Sequence, residues 1–441
     1  MQTIVSFVLL ISVLVFIHEL GHFIFAKRAG ILVREFAIGF GPKLVSWFKG
    51  ETLYSIRLLP LGGYVRMAGE DPEIIELKTG TQVTVELDGQ GKVLRIRSRG
   101  KPEQDGSGYE EWMETAGSDL PGHLPKVQSV EGGKLLEADL EDRLFIRLEL
   151  EDEREVEYPL HPKALIQYDG QQMVQIAPLD RQMGSKSILQ RTLTILAGPV
   201  FNLLLAVILM ATLTFFVGVG NKVSVQGVLP DSPAMKAGLQ QGDVIEKVAG
   251  KPVKEAKDIS MPLQQAGDKP ITLKVKRGED TFETTVRPEI KGDQRMIGIE
   301  MKPEMRKASV SEAIVEGFKK TYDFTLLMVH FLGQLITGQA GVDSLAGPVG
   351  IADMAGQAAE AGWLPLLSLA GLLSLNLGIL NLLPFPMLDG GRLVFLLLEA
   401  IRGKPVDPNK EGMVHFVGFA MLMMLMVLVT YNDIVRVFFD G

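Results

Sequence analysis

The chain of 441 residues contains no cysteine, and this absence limits its chemistry. Disulfides and thiolate ligands are excluded, so any bound metal must be held by histidine, aspartate or glutamate. The sequence also lacks a basic stripe interleaved with aromatic residues, and we therefore expect no nucleic-acid partner. The net charge of -8 is spread over polar segments such as 149–157, a pattern typical of solvated faces.

Apolar residues are bunched into long runs rather than spread evenly along the chain. Runs near the ~20 residues that cross a bilayer cover residues 4–26, 193–218, 364–385 and 413–431. Residues 311–337 mix apolar side chains with lysine and aspartate, so we expect an amphipathic surface helix there, with a membrane span as the alternative. The fold class predicted is a polytopic α-helical membrane protein with about four transmembrane helices.

The positive charges predict how these spans are oriented. Lys27 and Arg28 directly follow the first run and no positive residue precedes it, so we expect an uncleaved span whose C-terminal end is cytosolic. Alternation of the spans then places residues 27–192 and 386–412 inside the cell and residues 219–363 outside it.

The first apolar run contains the motif His18-Glu19-Leu20-Gly21-His22. On a helix, histidines four residues apart lie on one face and both imidazoles can reach a single cation, with Glu19 beside it. The same motif occurs by chance in soluble helices, where a surface salt bridge explains it. Within hydrocarbon each ionisable group costs about 3 kcal/mol to bury, so the motif predicts a metal centre. Two imidazoles and a carboxylate that accepts a proton from water are the arrangement of a zinc hydrolase.

A catalytic zinc usually has three protein ligands, and Asp389 is the best candidate for the third. It follows the point where the third apolar run breaks at Pro384 and Pro386, and Gly390 and Gly391 permit a close backbone approach. This position is at the cytosolic end of a span, the same level as the histidines. The alternative is an ordinary Asp-Gly turn outside the membrane.

Amide side chains within the apolar runs need polar partners. Asn376 and Asn381 either bond between helices or grip the backbone of a substrate. The same alternatives hold for Asn202 in the second run, where helix packing is favoured.

Taken together these motifs resemble the site-2 protease family of membrane-embedded zinc metalloproteases, in particular the bacterial members that cleave anti-sigma factors in regulated intramembrane proteolysis. The likeness runs nearly end to end, through the segments at 18–22, 35–42, 59–66, 68–72, 198–202 and 381–390. It implies that His18, His22 and Asp389 bind Zn²⁺. It also implies that Glu19 is the catalytic base and acid of a zinc metalloendopeptidase (EC 3.4.24 type), and it supports a substrate-binding role for Asn381.

Residues 53–67 alternate and turn like a strand pair, with Gly62 and Gly63 at the bend. The family carries a membrane-associated β-sheet at the equivalent place, where a sheet edge can bind unwound substrate. The resemblance thus implies that Gly62 and Gly63 belong to a substrate-binding segment. The alternative is a cytosolic hairpin that only packs against the helices.

Residues 221–305 resemble one PDZ-like α/β domain, a fold that captures extended peptides or C-termini. Residues 71–185 predict a cytosolic β-rich insert with a mobile loop at 100–122. The expected partners are membrane lipid and, as substrates, transmembrane proteins or peptides that have already undergone a first extracytoplasmic cleavage.

The expected location is the bacterial plasma membrane, with the active site towards the cytosol and the PDZ-like domain outside. Two other functions remain open from the sequence, a metal transporter or sensor that does not hydrolyse peptides, and a PDZ scaffold. The segments predicted are the first transmembrane helix (1–30), membrane-associated β segment (31–70), cytosolic insert (71–185), second transmembrane helix (186–220), PDZ-like domain (221–305), amphipathic helix region (306–345), third transmembrane helix with the Leu-Asp-Gly segment (346–412) and fourth transmembrane helix (413–441).

Overall fold

The computed structural model describes residues 2–70, 77–98, 124–168, 173–291 and 294–439. The predicted loop at 100–122 therefore lies outside the described residues. The chain forms two compact units. The first comprises Met1–Leu205, Leu332–Gly362 and Leu373–Gly441, and the second comprises Ala206–Phe331 and Trp363–Leu372.

Four helices of the described chain are long and apolar enough to cross a membrane, as predicted: Thr3–Arg28, Ile188–Val217, Trp363–Asn381 and Lys410–Phe438. The third ends earlier than the apolar run because Pro384 disfavours helical backbone at the residue before it. The α-helices are α1 (Gln2–Arg28), α2 (Ile188–Val217), α3 (Pro233–Lys236), α4 (Lys257–Ala266), α5 (Val310–Ile336), α6 (Pro348–Ala361), α7 (Trp363–Asn381), α8 (Asp389–Arg402) and α9 (Pro408–Phe438).

Two long strands, β1 (Val33–Lys49) and β2 (Thr52–Met67), follow α1 and form an antiparallel pair with several register shifts. The segment from Glu35 to Ile38 faces both the first half of β2, at Leu53 to Ile56, and the second half, at Gly63 to Arg66. The two halves of β2 thus flank β1 instead of pairing with each other, which corrects the strand pair expected within residues 53–67. The backbone can bend between the halves because Gly62 has a φ of +150°.

A hydrophobic cluster in the first unit holds this sheet against the helices. Its buried members come from α1, the residues after it, β1, β2, a short 3₁₀ turn, α2 and α8: Ala26, Ile31, Val33, Phe36, Val65, Met67, Met183, Ile195 and Leu396. The far end of the β1–β2 pair is exposed and apolar, with Leu44, Trp47 and Phe48 on its surface.

The insert of the first unit is a β-sheet in the order β4-β3-β5-β6-β7-β8, with an additional pairing between β4 and β7. That pairing closes five strands into a ring around an aliphatic core. The sequence predicted a β-rich insert but not this closed arrangement, and glycines, prolines and charges obscure the alternation of β5 and β7. The strands are β3 (Gln82–Leu87), β4 (Val93–Ser98), β5 (Ser129–Asp139), β6 (Phe145–Leu150), β7 (Glu155–Tyr168) and β8 (Val174–Gln175).

The second unit contains a sheet in the order β13-β12-β10-β9-β16, with β11 paired to β10, and helices α3 and α4 beside it. Asp243 is fully buried in this unit and paired with Arg277 at 2.7 Å. The strands are β9 (Val219–Val228), β10 (Val244–Val248), β11 (Lys251–Pro252), β12 (Ile271–Arg277), β13 (Asp280–Val286), β14 (Glu289–Lys291), β15 (Gln294–Met296) and β16 (Ile299–Arg306).

Candidate metal centre

The structure brings together three of the side chains singled out from the sequence. The Nε2 atoms of His18 and His22 are 3.2 Å apart. Asp389 Oδ2 lies 3.2 Å from the first and 3.5 Å from the second. In tetrahedral zinc sites, where each ligand atom is about 2.1 Å from the metal, neighbouring ligand atoms are about 3.4 Å apart. The three separations therefore fit one face of a zinc coordination tetrahedron.

The environment of these atoms also fits a cation. His18 and His22 are only 8% and 7% exposed. Asp389 Oδ2 is buried and accepts no hydrogen bond from the described residues. A buried carboxylate oxygen without a donor is costly, and a metal ion between it and the imidazoles would remove that cost. Among the described residues, these three form the group of His, Asp or Glu side chains that could hold a metal.

Helix α2 holds the far side of each imidazole. His22 Nδ1 is 2.9 Å from the Thr194 carbonyl oxygen, and the Asn202 side-chain amide nitrogen is 3.1 Å from His18 Nδ1. A histidine that binds metal through Nε2 carries its proton on Nδ1 and needs an acceptor there. Thr194 supplies a carbonyl for this purpose.

Asn202 supplies an acceptor once its amide is rotated by a half turn, which exchanges two ends that are nearly indistinguishable. Its Oδ1 is otherwise buried without a hydrogen bond among the described residues, and the rotation gives that atom the Nδ1 proton of His18. The interhelical role favoured for Asn202 from the sequence is seen in its contact with His18, but sequence reasoning did not place it behind a metal ligand and did not identify Thr194 at all. Asn202 ends the segment 198–202 that carries part of the family resemblance, but its histidine partner and the role of Thr194 are defined by how α1 packs on α2, which no local signal marks.

The close approach of α1 and α2 depends on glycine. A Cβ on Gly21 would lie 2.4 Å from the Ala197 carbonyl oxygen, a distance that real side chains do not adopt. The glycine of the His-Glu-Leu-Gly-His motif thus lets the two helices meet backbone to backbone at the level of the histidines.

Asp389 is the first residue of α8, a helix that the sequence did not predict. A Cβ on Gly390 would lie 2.1 Å from the Leu383 carbonyl oxygen, and one on Gly391 would lie 2.3 Å from that of Phe385. The two glycines let the first turn of α8 pack on the preceding loop, so Asp389 occupies a helix N-terminus and not a free turn.

Glu19 lies next to His18 on α1 and contacts the second half of β2. A Cβ on Gly63 would lie 3.1 Å from Glu19 Cγ and 2.9 Å from Val15 Cγ1. Gly62 faces a different neighbour: a Cβ added at this position would lie 2.4 Å from the ring of Phe40. Of the two predicted glycines, the structure thus places Gly63 against the glutamate.

Asn376 and Asn381 are half-buried in α7, and Asn381 is its last residue. Neither side chain forms a hydrogen bond to another described residue, so the interhelical bonding considered from the sequence is not seen there. Ser374 of the same helix instead donates a 2.8 Å hydrogen bond to the Asn202 backbone carbonyl.

A cavity of about 410 Å³ lies beside α8 in the first unit. Its wall includes Ile195, which follows Thr194, and Arg392, one turn after Asp389. Arg392 is paired with Glu70, and Arg191 with Glu399, so charged side chains line this cavity. Such a polar recess is a requirement for water to reach a site at membrane depth.

Comparison with known proteins identifies related chains. The model of "Peptidase family M50" matches residues 6–425. The "Zinc metalloprotease RasP" of Geobacillus kaustophilus is 44% identical over 440 residues, covering 99% of each chain. The "Regulator of sigma-W protease RasP" of Bacillus subtilis is 42% identical over 440 residues, covering 99% of each chain. The RasP of Oceanobacillus iheyensis is 41% identical, covering 99% of this chain and all of the relative.

Solved structures match a smaller part of the chain, among them two PDZ domains. A PDZ domain of an SdrC-like protein from Listeria monocytogenes is 22% identical, with a TM-score of 0.17, and covers 18% of this chain and 85% of its own. A PDZ domain from Listeria innocua is 24% identical, with a TM-score of 0.18, and covers 20% of this chain and all of its own. These TM-scores are below the level at which a shared fold follows.

Proposed function

This chain belongs to peptidase family M50, the site-2 proteases, and we propose that its metal centre cleaves the membrane anchors of single-span proteins. It is a membrane-embedded zinc metalloendopeptidase. The observation that carries the assignment of residues is the convergence of His18 Nε2, His22 Nε2 and Asp389 Oδ2 within 3.5 Å of one another. Three ligands leave one coordination position open, as in catalytic zinc sites, whereas structural sites are closed by four.

Each residue then has a distinct task. When bound, zinc polarises the scissile carbonyl and makes water nucleophilic at neutral pH. Glu19 accepts a proton as the water oxygen attacks the carbonyl carbon, and returns it to the amide nitrogen as the C–N bond breaks. The products are a carboxylate and an amine. Thr194 and Asn202 hold the imidazoles so that both Nε2 atoms face Asp389.

Substrate binding requires an unwound peptide, because a transmembrane helix hides its amide bonds. We infer that the second half of β2 offers its backbone to such a peptide, with Gly63 beside Glu19 and Gly62 at the bend. Asn381, at the end of α7, would grip the substrate backbone with an amide that makes no hydrogen bond to another described residue. We propose that Asn376 also binds the substrate backbone, since its side chain likewise makes no hydrogen bond to another described residue.

The substrates proposed are trimmed anti-sigma factors or remnant signal peptides. The name of the Bacillus subtilis relative, a regulator of sigma-W protease, supports the first class. The PDZ-like segment at 221–305 would exclude proteins that still carry a bulky ectodomain, so that a first cleavage must precede this one. Deleting 221–305 should then permit cleavage of an untrimmed substrate, and an untrimmed substrate that stays intact beside a stably inserted variant would refute the filter.

The orientation proposed places the metal centre towards the cytosol and the PDZ-like domain outside a bacterial plasma membrane. The chain has no native cysteine, so single cysteines report topology without background. Asp152→Cys in the insert and Asp268→Cys in the second unit both replace exposed side chains. A maleimide that cannot cross the membrane should label only the second in intact cells and both after lysis. The reverse pattern would overturn the orientation.

Glu19→Gln tests the function itself. The variant should keep zinc stoichiometry, since the three ligands remain, and should abolish cleavage of a co-expressed single-span type II membrane protein. Glu149→Gln, at a half-exposed glutamate of β6, is the matched control and should cleave normally. Undiminished processing by Glu19→Gln would reject the assignment. A metal transporter or sensor, or a PDZ scaffold, is not favoured, because the relatives are named zinc metalloproteases.

A further inference from the structure

The backbone just before Asp389 is held in an unfavourable conformation. Met387 has a φ of +80°, in the left-handed region that bulky residues avoid. Such a conformation is strained and persists only where its surroundings enforce it. Met387 lies two residues before Asp389, so its conformation sets the direction in which the chain enters α8.

One side chain from α9 accepts a hydrogen bond from this residue. The Met387 backbone N–H donates to His415 Nδ1 at 2.8 Å. A neutral histidine that accepts at Nδ1 carries its proton on Nε2. That atom is 3.6 Å from Glu411 Oε1, one turn earlier on α9. The Phe395 ring of α8 lies 5.5 Å from the imidazole and completes its packing.

Helix α9 is also shaped to receive the same loop. A Cβ on Gly418, one turn after His415, would lie 2.4 Å from Pro386 Cβ and 2.8 Å from the Pro386 carbonyl oxygen. The helix therefore provides an acceptor for Met387 and a gap for Pro386. These two independent contacts fix consecutive residues of the loop that leads to Asp389.

We propose that His415 is a positioning residue of the metal centre, which acts by holding Met387 in its left-handed conformation so that Asp389 Oδ2 meets the two imidazoles. The proposal rests on the ligand role given to Asp389 above. A histidine that merely filled space against Phe395 would contribute packing but would not depend on the backbone conformation of Met387.

The experiment measures zinc affinity of the purified full-length protein in detergent, by competition with a chelator. His415→Ala should lower the affinity about tenfold, the scale found for residues that orient metal ligands. His415→Asn, whose amide oxygen can accept the same hydrogen bond, should recover most of the loss. Met424→Ala, at an exposed position of α9, is the matched control and should bind zinc normally.

A double variant separates positioning from packing. Glycine adopts positive φ without strain, so in Met387→Gly the left-handed conformation of residue 387 no longer depends on the hydrogen bond to His415. The loss caused by His415→Ala should therefore be much smaller when Met387→Gly is present. An equal loss in both backgrounds, or no loss from His415→Ala alone, would overturn the proposal. Asp389→Ala must lose zinc in the same assay, and if it does not, the ligand assignment fails before the role of His415 is reached.

Discussion

Gly198 of α2 lies directly beneath the imidazole of His22: a Cβ at this position would be 2.2 Å from Nε2 and 2.6 Å from Cε1. Nε2 is the atom that faces Asp389, so the space left by the missing side chain is part of the metal centre. The same helix presents the Thr194 carbonyl to the other nitrogen of the ring. Helix α2 therefore fixes His22 from two sides without contributing a ligand.

Replacement of Gly198 should consequently damage metal binding. In Gly198→Ala the methyl group must displace His22, and we expect zinc affinity to fall by about tenfold or more. Gly412→Ala is the matched control, because a Cβ there meets no atom within 4 Å. Zinc content after dialysis against a weak chelator distinguishes the two, and equal content would show that His22 is not held as described.

The three candidate metal ligands could be predicted from the sequence, but the residues that surround them could not. The four-residue spacing of His18 and His22 follows from helix geometry alone, and a local motif suggested Asp389. Asn202 is separated from His18 by 184 residues, and their contact depends on helix packing that no local pattern encodes. The roles of Gly198 and Thr194 were beyond prediction for the same reason.

The pairing of strands was equally beyond what local sequence patterns predict. Alternation of side chains identified residues 53–67 as extended, but it does not specify a partner, and in the structure the two halves of β2 pair with the two edges of β1. Helix α8 was missed because Gly390 and Gly391 are typical of a turn. In the structure their missing side chains let the helix begin against the carbonyls of Leu383 and Phe385.

The role assigned to Asn202 can be tested with two substitutions of similar volume. Asn202→Leu removes the acceptor for His18 Nδ1 and should lower zinc affinity by about 10–100-fold. Asn202→Asp keeps an oxygen at that position and should retain zinc. Ser374→Ala serves as control, since it removes a hydrogen bond to the Asn202 backbone only. Wild-type zinc affinity in Asn202→Leu would contradict the role.

Gly63 should influence cleavage without influencing the metal. A methyl group at this position would press on Glu19 and Val15, and also approach the Ala37 carbonyl oxygen to 2.8 Å. Gly63→Ala should therefore lower kcat/KM by about tenfold, equivalent to about 1.4 kcal/mol of transition-state stabilisation, while zinc stoichiometry stays at the wild-type value.

A glycine outside the sheet provides the comparison for Gly63. The Cβ of Gly184→Ala would be 3.9 Å from its nearest neighbour, the Gly69 carbonyl oxygen, and cleavage should be unchanged. Unaltered cleavage by Gly63→Ala would show that this part of β2 does not shape the reaction. Loss of zinc would show instead that the distortion reaches the histidines.

Glu51, in the turn between β1 and β2, should make stability depend on acid pH. Hydrogen bonds from Arg181 at 2.8 and 2.7 Å lower the pKa of Glu51 from 4.5 to about 2, against the opposing effect of burial. Because the folded pKa is depressed, the stabilisation is fully present above pH 4.5 and is lost as the pH falls through about 2.

Glu51→Gln should therefore unfold at a lower temperature than the wild type at neutral pH, by an amount corresponding to about 2 kcal/mol. The difference should shrink as the pH is lowered from 4.5 towards 2, where the wild-type carboxylate also becomes protonated. Thermal denaturation in detergent across this range provides the measurement, with Glu149→Gln, at a half-exposed surface ion pair, as a control that should change little. A difference that does not vary with pH would mean that the charge of Glu51 contributes nothing to the stability of this turn.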